Sequence, residues 1–139
     1  MKKTFMLFLM LVSLTAFSQE QNEKYYRNIA VKHIHGRTKA VLKDKSHVDI
    51  VTDTFAIEIE FAQKWAESIG HSELYSIELH KKAGIVLIAD RFKDDEYVQK
   101  LMKVATKLNI TVWVIFINDN SWGKVESVKE KDGTVKFIY

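Results

Sequence analysis

The sequence predicts an α/β fold: a mixed sheet flanked by helices, with a C-terminal hairpin. Three patterns carry that expectation. Ile85-Val86-Leu87-Ile88-Ala89 and residues 110–117 are continuous apolar runs, as strands buried on both faces require. Between them, Tyr97, Val98, Leu101, Met102, Ala105 and Leu108 recur at helical spacing, and a helix joining two such strands makes a parallel βαβ unit. Upstream, His47–Val51 and Phe55–Phe61 alternate as strands do around Thr52-Asp53-Thr54, which predicts an antiparallel meander on the same sheet.

The elements follow in order. Met1-Lys2-Lys3 precedes an uncharged apolar run from Thr4 to Phe17, and Ala16-Phe17-Ser18 sets small residues where a signal peptidase inspects the chain. This is the layout of a secretory signal over residues 1–18, cleaved before Gln19, and the run falls short of the roughly 20 residues of a spanning helix. The expected mature chain, 19–139, is one domain without a membrane span, periplasmic or secreted. Its charge differs from that of the whole. The full sequence has 21 basic and 18 acidic residues, and loss of Lys2 and Lys3 leaves 19 against 18. So small a balance excludes bulk attraction to polyanions, and a nucleic-acid partner would need a local patch. With no cysteine, disulfides are excluded and stability must come from the core.

Residues 19–31 begin polar and become helical, with Tyr25, Tyr26, Ile29 and Ala30 on one side. Thr38–Leu42 alternates, and Lys43-Asp44-Lys45-Ser46 reads as a turn. Residues 63–81 carry Trp65, Ala66, Ile69, Leu74 and Ile77 as an amphipathic helix. Asp94 is the expected cap of the next one. Residues 124–139 predict a hairpin turning at Lys131-Asp132-Gly133.

Chemistry concentrates in Val48-Asp49-Ile50-Val51 and Ala56-Ile57-Glu58-Ile59-Glu60-Phe61. Alternate side chains of a strand share a face, so Glu58 and Glu60 point together, roughly 7 Å apart. Across a turn at residues 52–55, Asp49 falls opposite Glu58, and opposed like charges destabilise a sheet. A divalent cation such as Mg²⁺ or Mn²⁺ held by Asp49, Glu58 and Glu60 would account for the crowding. So would a solvent-facing side of the hairpin, where acidic residues are ordinary. A helix packed across that face would favour the metal.

The segment VDIVTDTFAIEIEFAQKWAESIGHSELYS, with the following AGIVLIAD, resembles a family of small PD-(D/E)XK nuclease-like proteins. The likeness is strongest over residues 36–90 and extends weakly to about 118. It implies a restriction-endonuclease-like αβββαβ core and metal-dependent hydrolysis of nucleic acid. It makes Asp49 the motif aspartate and Glu58 the motif acid. Glu60 stands where the motif lysine belongs, and Lys64 is then the candidate for the missing cation. In the helix motif Gln-x-x-x-Tyr, His71 replaces the glutamine and Tyr75 remains. At helical spacing Lys64, Ser68, His71 and Tyr75 form one stripe, facing either the metal and substrate or the solvent. Glu23 is a further acidic candidate. The alternative is the same fold with catalysis lost, a binding or structural protein, for which Glu60 in place of lysine is the main support.

Other groups carry weaker signals. His33-Ile34-His35, if extended, sets two imidazoles on one face, without a third metal ligand at a characteristic spacing. His47 falls across from Glu60 in the expected register. Trp65 and Trp113 read as core, whereas Trp122 follows a loop at a strand end, where ligand contacts often fall. Lys93, Lys100, Lys103 and Lys107 read as a solvated helix face.

Overall fold

The computed structural model describes residues 22–139, so the expected signal segment and its cleavage point lie outside the described residues. Helix α1 spans 22–34. There follow β1 (Arg37–Val41), β2 (His47–Val51) and β3 (Phe55–Phe61), a 3₁₀ turn at Ala62–Lys64, and α2 (Trp65–Leu79). Then come β4 (Lys82–Ala89), α3 (Asp95–Leu108), β5 (Thr111–Phe116), β6 (Trp122–Lys124), β7 (Glu126–Lys129) and β8 (Val135–Ile138). Six strands form one mixed sheet in the order β1-β2-β3-β4-β5-β6, and β7-β8 is a separate two-stranded sheet.

The apolar runs behave as their period requires. β4 lies parallel to both β3 and β5, with Val86 opposite Ile59 and Trp113. Its side chains alternate between two cores. Ile85, Leu87 and Ala89 pack with Val112, Val114 and Phe116 under α2 and α3. Val86 and Ile88 pack with Ile57, Ile59 and Ile115 under α1 through Ala30. Ile57, Ile59, Ile85, Leu87, Ile88 and Leu101 are each at most 1% exposed. Burial on that scale is the main source of stability in a chain without cysteines, at roughly 25 cal/mol per Å² of apolar surface. Gly84 permits one close approach: a Cβ there would stand 2.9 Å from Ile57 Cγ1 and 3.0 Å from Trp113 Cζ3, so the indole lies against bare backbone.

Sequence expectations and structure part at three places. The first helix runs past Val31 to residue 34, and His35 turns the chain with φ 57°. His33 and His35 are therefore not paired on an extended segment. Asp94 is the residue before α3, yet its carboxylate caps nothing; it accepts hydrogen bonds from Gln63 Nε2 and the Asp90 amide instead. The C-terminal hairpin forms as expected, β7 pairing with β8 around Gly133 at φ 86°.

The third departure positions the site. β2 pairs with β3 only at Ile50↔Ile57 and Val51↔Ala56. Beyond that point the ladder yields to a side chain: the Ile59 amide donates to Asp49 Oδ2 at 3.0 Å. On the other edge of β2, pairing with β1 skips the position where Lys39 would face Asp49, and Lys39 takes φ 55°. The two strands thus part at Asp49, which opens the sheet where the carboxylates stand.

Candidate active site

Glu58 and Glu60 project from β3 toward α2, away from the side that Ile57 and Ile59 bury under α1. That face is covered. Glu58 is 6% and Glu60 8% exposed, which removes the reading of a solvent-facing hairpin. The α2 stripe lies over them. His71 Nδ1 meets Glu58 Oε1 at 2.9 Å, and Lys64 Nζ stands 3.9 Å from Glu60 Oε2. Tyr75 is buried beside His71, their rings stacked at 6.0 Å. Ser68 turns its hydroxyl back onto the Trp65 carbonyl and takes no part. Of the sequence candidates, Asp49, Glu58, Glu60, Lys64, His71 and Tyr75 gather in one place. His47 is exposed, so its expected position across from Glu60 brings it no burial in the cluster.

From the opposite layer α1 adds two groups. Glu23 and Arg27 lie one turn apart; Arg27 Nη2 donates to Glu23 Oε1 and pairs with Asp49 Oδ1 at 2.8 Å. The Arg27 side chain is 10% exposed, and its Nε is a buried donor with no partner among the described residues. Sequence reasoning missed Arg27. The only signal was its spacing of four from Glu23, which most helices carry on exposed faces as a minor stabilising pair.

The electrostatics follow from four carboxylates and one buried guanidinium. Burial pushes the Glu58 carboxyl up to about 9, and the neighbouring Asp49, Glu60 and Glu23 add to the rise. Glu23 is also raised, first by burial and then by Asp49. Burial raises the Tyr75 phenol, with Glu58 and Asp49 acting in the same direction, so it stays a proton donor. Burial thus favours the protonated form of the Glu58 carboxyl, whose Oε1 lies 2.9 Å from His71 Nδ1. Among the described residues no group of three or more His, Cys, Asp or Glu side chains is disposed to hold a metal ion, and Arg27 already takes Asp49 Oδ1 and Glu23 Oε1.

No protein-family model, curated protein or solved structure matches this chain.

One consequence is a pH dependence of stability. The folded chain keeps a proton on Glu58 that the unfolded chain releases near the ordinary value of 4.5. The folded state thus binds more protons between about pH 4.5 and pH 9, and stability must fall as pH rises through that window. Glu58→Gln, which keeps the shape and cannot ionise, is expected to flatten the decline. Melting temperatures of both proteins at several pH values from 5 to about 9 check it, and parallel profiles would contradict the assignment.

Proposed function

We propose that the protein is an exported, divalent-metal-dependent phosphodiesterase acting on nucleic acid. The observation that carries this reading is a set of four carboxylates, Glu58 and Glu60 buried and Asp49 and Glu23 half-buried, lined by Lys64, His71 and Arg27. Carboxylates alone would not be gathered under a helix for packing, because each desolvated charge raises the cost of the next. The donor chemistry suits a hard cation such as Mg²⁺ or Mn²⁺, which takes oxygen ligands. Asp49, Glu58 and Glu60 would hold it, but only by closing together and displacing Arg27 from Asp49, because they do not form a metal-ready group as they stand. When bound, such an ion lowers the pKa of water and offsets charge on the phosphate.

The chain's own residues have separable roles in this reading. Asp49 is held by the Ile59 amide, which fixes its orientation. Lys64 reaches back from the start of α2 to Glu60 and would orient the attacking water or stabilise the charge that develops on the phosphate. His71, half exposed while bonded to Glu58, would present its free edge to substrate, with Tyr75 behind it. The element order of one helix, a three-strand antiparallel meander, a helix and a strand parallel to β3 agrees with the αβββαβ core of restriction-endonuclease-like folds.

Two observations favour a second reading, in which the fold survives as a binding protein. Glu60 occupies the motif lysine position, and the Arg27 guanidinium fills the space between Glu23 and Asp49 with a cation of the protein's own. A thermal shift separates the two. On the first reading Mg²⁺ or Mn²⁺ raises the melting temperature, because a ligand of the folded state stabilises it. Binding must expel the Glu58 proton, so the shift should grow with pH. Asp49→Asn with Glu58→Gln should abolish it. A shift that survives the double substitution would place the metal elsewhere. No shift at any pH, with no cleavage of DNA or RNA, would leave the binding protein.

A further inference from the structure

On the face covered by α1, toward the start of β3, a cavity of about 520 Å³ opens between the end of α1, the turn at residues 52–54, and strands β5 and β6. A row of rings lines it. Trp122 and Trp113 lie 6.2 Å apart at 23°, His33 stacks on Trp122 at 5.0 Å and 3°, and Phe55 meets Trp113 edge-on at 5.3 Å. None of the four is fully buried. Arg37 and His35 stand at the mouth with Asp53. Among the described residues Arg37, His33 and His35 enter no ion pair.

Rings that served only as core would be closed over. Here two indoles and an imidazole remain open to a cavity whose size suits one small organic molecule, roughly 300–1,000 Å³ being usual. We propose that this cavity binds a nucleotide, its base on the row formed by Trp113, Trp122 and His33 and its phosphate on Arg37. Every base offers a π-face to indole and imidazole, and stacking of this kind tolerates any sequence. A guanidinium matches phosphate with two parallel hydrogen bonds, and the imidazoles beside it favour the same anion when protonated. A sugar would also stack on tryptophan. Its hydroxyls, however, call for several carboxylates or amides, and the cavity lining carries one carboxylate against a guanidinium and two imidazoles. The site is separate from the carboxylate cluster, on the other face of the sheet and roughly 10 Å along β3 from Glu58. It therefore goes beyond the proposed hydrolysis and holds whether or not the protein cleaves anything.

Two of the three tryptophans line the cavity, and Trp65 packs elsewhere, so indole emission reports its occupancy. The protein is titrated in EDTA, which keeps the carboxylate cluster out of the result. The probes are adenosine 5′-monophosphate, adenosine, ribose 5-phosphate, methyl glucoside and single-stranded oligodeoxyadenylate. The monophosphate is expected to quench and ribose 5-phosphate to be silent. Trp122→Ala should weaken binding roughly tenfold or more. Arg37→Ala should weaken the monophosphate and leave adenosine unchanged. If Trp122→Ala fails to fold, His33→Ala removes an exposed ring of the same stack and should act in the same direction. Tighter binding of the oligonucleotide than of the monophosphate identifies a strand as the source of the nucleotide; binding of the monophosphate alone identifies the free nucleotide. Silence of all three base-containing probes at millimolar concentration overturns the proposal. So does a response to methyl glucoside alone, or quenching undiminished in the ring variants.

Discussion

Arg27→Met is expected to destabilise the protein by about 3–5 kcal/mol, the cost of leaving a buried charge without its partner. The methionine would fill much of the same volume, so packing contributes little of the loss. What is lost is the one guanidinium shared between Glu23 and Asp49, on side chains 24% and 14% exposed. For a domain of this size the melting temperature should fall by roughly 10 °C or more. Adding Glu23→Gln removes one of the orphaned charges and should recover part of the fall. A divalent cation should recover more of it on the proposed function, because it takes over the neutralisation that Arg27 supplies. A variant that melts within a degree or two of the native protein would show that Arg27 does not hold the cluster together. A variant that melts early and ignores Mg²⁺ and Mn²⁺ would count against the metal.

Lys64→Ala carries the largest expected effect on activity. The proposed hydrolysis needs a cation beside the attacking water, and Glu60 occupies the place where the motif sets it. Lys64 is the lysine that meets Glu60, 3.9 Å away, and it is 44% exposed at the edge of the site. Its loss should lower turnover roughly hundredfold or more, as for other contacts made to transition-state charge. Stability and metal affinity should change little, since an ion pair so open to solvent contributes at most about 1 kcal/mol. Lys100→Ala is the control. That side chain pairs with Glu96 at 2.6 Å on the outer face of α3 and should matter to neither property. Equal losses of turnover in the two variants would mean general attraction for polyanions.

Much of the sheet was legible because its signals are local. The continuous apolar runs of β4 and β5 and the alternation of β3 each announce how many faces are covered, and both follow from side-chain period alone. The shared face of Glu58 and Glu60 follows from the same rule. What α2 does to that face was not legible, because the stripe from Lys64 to Tyr75 fits a wet surface equally well until the helix is docked. Arg27 was hidden for a related reason: its partner Asp49 is far along the chain, and only the packing of α1 brings them together. The register placed Asp49 opposite Glu58 correctly in number. It did not foresee that β2 leaves the ladder there, with a carboxylate substituting for a backbone acceptor. The cap expected of Asp94 failed because a better use for its carboxylate lay across the chain at Gln63.

The left-handed turn of Lys39 has a consequence beyond the site. β1 is an edge strand, and an edge strand offers a free row of amides and carbonyls on which a stranger's strand can add. At Lys39 that row is broken midway, in a conformation that costs a residue with a side chain about 1 kcal/mol, and the break itself carries a charge, with Arg37 two residues before it. At the far edge β6 is only three residues long, too short to seed an extended ladder. The irregularity that interrupts β1 opposite Asp49 thus leaves neither edge of the sheet a long, regular ladder on which another strand could add.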